Sequence, residues 1–257
     1  MCGEETLSVY LLPQLVRDEY LAGGLAVVID VLRAATTVVH ALAAGATAVW
    51  PEATIEDAQA QAQRLRAEGH RVLTGGERGG KPISGFDLGN SPTDYTCRLC
   101  KQTDVVLTTT NGTRALLHAS KAEVVLMAGF VNFSAVGDVL LKEKRPVHLV
   151  CAGTDGHITL EDTLLAGAFV DILQKKRKSL CDSARLAWDC FEHHGMILTE
   201  ALRLSAGGRN LIELGYEDDL AMAAQVDRFQ IVPTLRRDPL RLEIGGVGLV
   251  RNLWPHR

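Results

Sequence analysis

Along roughly the first 155 residues, short apolar runs alternate with segments of helical period. Residues 7–12 and 25–31 read as strands, 34–44 as a helix, and 46–50 as a further strand ending at Pro51. Residues 54–68 form a strongly helical segment. Thr54 and Asp57 give it a capping-box-like start, Ala and Gln fill it, and Gly69 stops it. A strand at 71–74 leads into an irregular stretch, 75–92, with six glycines and two prolines. Loops of that length inside a compact domain are usually functional. Then come strand 104–109, helix 111–119, strand 123–128, helix 133–144 and strand 147–151. The strands are continuous apolar runs, as strands buried on both faces should be. Strand–helix alternation predicts an α/β fold with a mainly parallel or mixed sheet covered by helices.

From Leu160 to about Arg228 the pattern is mostly helical, with glycine breaks at Gly195, Gly207–Gly208 and Gly215. Two strand-like pieces, 229–235 and 240–244, close the chain around an Arg-Arg-Asp-Pro turn, predicting a short β-hairpin. The chain reads as one compact α/β enzyme unit, 1–257. It is either a single body or two lobes, about 1–155 βα-alternating and about 156–257 helix-rich.

Composition narrows the partners. The 257 residues are 47% apolar and 23% charged, which is ordinary for a globular protein. A net charge of −4 argues against a general nucleic-acid or anionic-membrane binder. The apolar runs are too short to span a bilayer, and the acidic start, Met-Cys-Gly-Glu-Glu-Thr, has no apolar signal core. The expectation is a cytoplasmic protein with a small-molecule substrate and no membrane or nucleic-acid partner. Oligomeric state is left open, because the apolar C-terminal strands suit a homo-oligomer interface as well as a core. Of the six cysteines, Cys97 and Cys100 form a single C-x-x-C in a stretch that reads as helix. The others offer no second pair at zinc-ligand spacing, so all read as ordinary thiols.

Ligands of open α/β sheets bind at the carboxyl ends of the strands. Strand 25–31 runs into Asp30, Arg33, Thr36 and Thr37, an acid, a cation and two hydroxyls at a helix start. That set suits a metal and an anion together; the plainer account is a helix cap and a surface charge. Strand 71–74 leads to Gly75-Gly76-Glu77-Arg78-Gly79-Gly80-Lys81, a metal ligand and two phosphate clamps among glycines. The same loop carries Asp87 and Asn90, with Phe86 and Leu88 as anchors. Strand 104–109 ends in Thr108-Thr109-Thr110-Asn111-Gly112-Thr113, an anion nest or simply a cap. Neither a P-loop nor a G-x-G-x-x-G fingerprint is present.

Strand 147–151 delivers Cys151, Gly153, Asp155 and His157, then Glu161 and Asp162 at the next helix. A cysteine-phosphatase loop fails, because the position six after Cys151 is His157 and not Arg. Asp155, Glu161 and Asp162 serve either a cation or a helix cap, and the last two do not easily face one site together. Oxygen ligands suit magnesium and not zinc, and arginines with amide nests suit phosphate. The residues therefore point to metal-assisted phosphoryl chemistry.

At these positions the sequence resembles the 2-phosphosulfolactate phosphatase family. The resemblance rests on Asp30-Val-Leu-Arg-Ala-Ala-Thr-Thr37, Gly76-Glu-Arg-Gly79, Gly85-Phe-Asp-Leu-Gly-Asn-Ser-Pro92, Thr108-Thr-Thr-Asn-Gly-Thr113 and Cys151-Ala-Gly153. Gly215-Tyr-Glu-Asp-Asp219, Asp227 and Val232-Pro233 extend it, so that it runs in order from about Leu7 to Pro233. One departure is Ala35, where the family pattern has Thr.

The resemblance implies an α/β fold of its own and a magnesium-dependent phosphatase. The reaction would release phosphate from 2-phospho-3-sulfolactate, a small anionic phosphoester, on the way to coenzyme M. On this reading Asp30, Glu77 and Asp87 hold magnesium or orient water, and Arg33 and Arg78 clamp phosphoryl oxygens. Thr36, Thr37, Asn90, Thr109, Thr110, Asn111, Gly112, Thr113, Cys151 and Gly153 line the substrate. Because position 32 is Leu, the D-x-D of aspartyl phosphatases is absent, which ranks metal-activated water above an Asp30 nucleophile. Two rival readings stand beside it: an isochorismatase-like hydrolase using Cys151, and a non-catalytic phosphate-binding protein.

Overall fold

The computed structural model describes residues 6–176, 179–245 and 253–254; the acidic N-terminal start and Cys2 lie outside them. In chain order the elements begin with β1 (Thr6–Tyr10), α1 (Asp18–Leu21), β2 (Leu25–Ile29), α2 (Ala34–Ala43), β3 (Ala48–Pro51) and α3 (Ile55–Ala67). Next come β4 (Val72–Arg78), β5 (Lys81–Pro82), α4 (Cys97–Cys100), β6 (Asp104–Thr108), α5 (Gly112–Ala119), β7 (Val124–Ala128), α6 (Phe133–Lys142) and β8 (Val147–Cys151). The helical section holds α7 (Leu160–Leu173), β9 (Ser179–Leu180), α8 (Asp182–His194), α9 (Leu198–Leu204), α10 (Ala206–Glu213) and α11 (Glu217–Ala223). Strands β10 (Pro233–Arg237) and β11 (Leu240–Ile244) follow.

The eleven strands form one sheet in the order β5-β4-β6-β3-β11-β10-β7-β2-β8-β1-β9. It consists of two parallel blocks, β4-β6-β3 and β7-β2-β8-β1-β9. The expected C-terminal hairpin is present, and it lies in the middle of the sheet. There β11 pairs antiparallel with β3 through Leu242 and Val49, and β10 with β7 through Thr234 and Leu126. Among the described residues no helix is long and apolar enough to cross a membrane.

Both faces of the sheet are covered, and the β2 side chains alternate between them. Val27 and Ile29 pack with Phe133, Phe169 and Leu164 from α6 and α7; Ala26 and Val28 pack with Val38 and Leu116 from α2 and α5. Helix α3 starts as its sequence predicts, with the Thr54 hydroxyl accepting from the Asp57 amide at 3.0 Å.

Two expectations are corrected. The stretch from Gly75 is not irregular throughout, because β4 continues to Arg78 and turns back through β5. Gly76 allows this, since a Cβ there would lie 2.0 Å from the Thr108 carbonyl oxygen. Gly207–Gly208 does not break a helix. It sits in the first turn of α10, where the Gly208 amide donates to the Ser205 cap at 2.9 Å.

Candidate active site

The carboxyl ends of β2, β4 and β6 open onto a cleft of about 250 Å³. Asp30, Arg33, Glu77, Asn90, Thr109, Thr110 and Asn111 line it, facing Gly207 and Asn210 of α10. Of the predicted residues, these seven are the ones the fold brings together.

Asp30 follows directly on β2 and is buried. Its Oδ1 accepts from the Ala34 amide at 2.9 Å, which starts α2. Gly112 makes room for the other oxygen, because a Cβ there would stand 2.5 Å from Asp30 Oδ2. Burial, then the nearby Asp162, Glu77 and Glu161 carboxylates, raises the Asp30 pKa well above the carboxylate range. Glu77 is held between two backbone amides, Thr110 on Oε1 and Gly80 on Oε2, each at 2.8 Å. One acid thus fixes both the β4–β5 turn and the loop before α5. Thr109 and Thr113 cap each other reciprocally at 3.1 Å.

Arg33 is held from the opposite side. Its Nη1 donates to Asp219 Oδ2 at 2.7 Å and its Nη2 to the Gly80 carbonyl at 2.9 Å. Asp219 Oδ1 accepts from the Ser91 hydroxyl at 2.6 Å, and the guanidinium stacks 4.5 Å over the Tyr216 ring.

Two acids of the first α7 turn complete the electrostatics. Asp162 accepts from the Val31 amide at 2.9 Å and the Gly153 amide at 3.0 Å, tying the ends of β2 and β8 together. Glu161 is 1% exposed, and its Oε2 has no hydrogen-bond partner. It lies against α10, since a Cβ at Gly207 would be 2.5 Å from its Oε1. Burial and Asp162 push Glu161 up to about 7, and burial pushes Asp162 up to about 6. The two acids interact through their charges but point apart, Asp162 to the β2 and β8 ends and Glu161 to α10. Neither lines the cleft, as expected of acids that do not easily face one site together. The signal for their burial was there: acids in the first turn of a helix otherwise so apolar must be buried with it.

The remaining predicted residues lie elsewhere. Asp87 lies outside the cleft, at a shallow pocket beside α3, bound to the Thr74 amide and hydroxyl at 2.8 Å. Arg78 donates to the Glu77 carbonyl and to the Thr108 hydroxyl and does not line the cleft. The Thr36 and Thr37 hydroxyls are spent on the Val31 and Asn90 carbonyls, both at 2.8 Å. Gly112, Thr113 and Gly153 do not line the cleft. Cys151 is buried in the core, its thiol pushed well up by burial and by Asp162 and Glu161, which removes the nucleophile an isochorismatase-like reading requires. Asp227 caps α6 through the Ser134 amide at 2.6 Å. Asp219, Ser91 and Tyr216 are functional candidates that strand-end reasoning does not reach, because they are assembled from distant segments.

The sequence model of the family described as 2-phosphosulpholactate phosphatase matches residues 10–238. A protein of Thermotoga petrophila named probable 2-phosphosulfolactate phosphatase is 46% identical over 82% of this chain and 88% of its own. One of Clostridium perfringens strain 13 with the same name is 33% identical over 94% of this chain and 98% of its own. A match of this extent covers every element that lines the cleft, and the chain belongs to the 2-phosphosulpholactate phosphatase family.

Proposed function

We propose that the protein is a magnesium-dependent phosphoric monoester hydrolase that releases phosphate from 2-phospho-3-sulfolactate, leaving sulfolactate. The observation that carries the reading is the cleft itself. Asp30 and Arg33 share it with the amide-rich turns at Gly79–Gly80 and Thr109–Asn111, on a chain whose relatives are named for this activity.

The donor set fits magnesium. Every candidate ligand in the cleft is a hard oxygen; two buried oxygens lining it, Asn90 Oδ1 and Thr110 Oγ1, lack a partner, as does the nearby Glu161 Oε2. Among the described residues no three His, Cys, Asp or Glu side chains converge enough to enclose an ion. Magnesium is commonly held by one or two carboxylates, with waters and a substrate phosphate completing the shell. Charge makes the same point: Asp30, Glu77 and Asp155 line the cleft and Glu161 and Asp162 are buried near Asp30, while the Arg33 charge is already matched by Asp219. An anionic ester entering this cleft meets net repulsion unless a cation accompanies it.

Asp30 and Glu77 would hold the ion, with Glu161 adding charge from below. Once bound, magnesium would neutralise the phosphoryl oxygens and acidify a water. Asp30 Oδ2, the carboxylate oxygen not committed to the helix, would orient a water in the cleft and accept its proton. Arg33 would hold the phosphoryl oxygens in place, beside those amides of the two turns that are not spent on Glu77 and Thr113.

The test is phosphate release from 2-phosphosulfolactate and a panel of phosphoesters, with magnesium and with chelator, on wild type and Asp30→Asn. Chelator-sensitive release that drops at least about a hundredfold in the variant is expected. No release from any ester by the folded protein refutes the reading.

A further inference from the structure

Among the described residues lining the cleft, Arg33 is the one cation. A free arginine side chain samples many rotamers, and ordering it on a ligand costs entropy. Here that ordering is done before any ligand arrives. The Arg33–Asp219 pair is buried, with side-chain exposures of 3% and 2%, and 186 residues separate the partners. Ser91 holds the second Asp219 oxygen at 2.6 Å, and Tyr216 covers one face of the guanidinium. Of its five N–H donors, Arg33 spends one on Asp219 and one on Gly80, so three remain. Ser91 comes from the Gly85–Pro92 run and Asp219 from the Gly215–Asp219 run, so two separate sequence motifs meet at one ion pair.

We propose that Asp219 is a positioning residue for phosphoester binding. Backed by Ser91, its carboxylate locks the Arg33 guanidinium in the orientation whose unspent donors meet the anionic oxygens of the substrate. This rests on the phosphatase reading of the cleft. Neither Asp219 nor Ser91 touches substrate; both act through Arg33. The helical section thereby contributes to the site without placing a charged side chain of its own in the cleft.

The test uses 2-phosphosulfolactate as substrate and inorganic phosphate as competitive inhibitor. It compares wild type, Asp219→Asn, Ser91→Ala, Arg33→Ala and the double variant Arg33→Ala/Asp219→Asn. Asp219→Asn is expected to raise KM and the phosphate inhibition constant about tenfold while kcat moves less than about threefold. Ser91→Ala shifts both constants the same way by less. In the Arg33→Ala background Asp219→Asn adds no further loss, because the residue it acts through is gone. The double variant also removes the unpaired carboxylate that Arg33→Ala leaves buried, so it keeps the comparison available where the single variant folds poorly.

Folded Asp219→Asn and Ser91→Ala proteins with wild-type KM and inhibition constants overturn the proposal. So do Asp219 and Arg33 effects that multiply. If wild type itself hydrolyses no ester and phosphate does not shift its melting temperature, the phosphatase reading falls and this proposal with it. Wild-type turnover beside an unaffected Asp219→Asn overturns this proposal alone.

Discussion

The two walls of the cleft treat buried charge in opposite ways. On the α11 side, Arg33 meets Asp219, Asp219 meets Ser91, and the guanidinium lies on Tyr216. On the β2–α7 side, Asp30, Asp162 and Glu161 are all buried, Asp162 adds to the proton affinity of the other two, and Glu161 Oε2 has no partner. An uncompensated buried acid costs stability, whereas a matched ion pair with good geometry roughly breaks even. The first wall is complete as the chain folds. The second carries buried acids that no partner in the chain compensates, and on the proposed reading a cation would relieve them.

Changing the pH breaks this comparison most strongly. Glu161 and Asp162 bind their protons more tightly folded than unfolded, so between about pH 4 and 7 the native state holds the larger number. Stability therefore falls as pH rises through that window, and urea midpoints at several pH values without divalent cations measure the slope. Glu161→Gln should flatten it and raise stability at pH 8 by about 2 kcal/mol. Added magnesium should recover much of the same loss in wild type, and a slope of the opposite sign would refute the cost of the uncompensated acids.

A smaller effect is expected at Asp87. Its carboxylate serves Thr74 and, at 3.4 Å, Arg66 on α3, away from the cleft. Asp87→Ala should lower stability by about 1–2 kcal/mol and leave phosphate release within about twofold, measured in one urea series and one steady-state assay. Loss of magnesium dependence in that variant would return Asp87 to the site.

Thiol alkylation should do least. Cys97 is exposed and Cys151 is buried, so iodoacetamide on the native protein should label Cys97 by mass spectrometry and leave activity unchanged. Inactivation that tracks labelling of Cys151 would revive the cysteine-hydrolase reading.

Much of the fold was legible along the chain. The β2, β6 and β8 runs are mostly apolar and buried at every position because both sheet faces are covered, and Thr54 with Gly69 bounded α3 to within a residue. Asp30, Arg33 and Glu77 were legible as candidates as well, since they stand at or just beyond the carboxyl ends of buried strands. The position of the C-terminal hairpin was not. Local pattern fixes that β10 and β11 pair with each other, but not that they enter between β3 and β7.

What the amino-acid order determined by itself is therefore local: which segments are strands, where helices start, and which strand ends carry acids and hydroxyls. Period, capping and turn chemistry act over a few residues, and a single sequence displays them directly. Only the tertiary structure decided which of those groups meet. It separated Asp87 from Asp30, turned the Thr36 and Thr37 hydroxyls onto carbonyls, buried Cys151, and brought Asp219 from 186 residues away onto Arg33. Those outcomes depend on burial and on long-range packing, where the energy of a charge is set by neighbours that the chain places beside it only once it has folded.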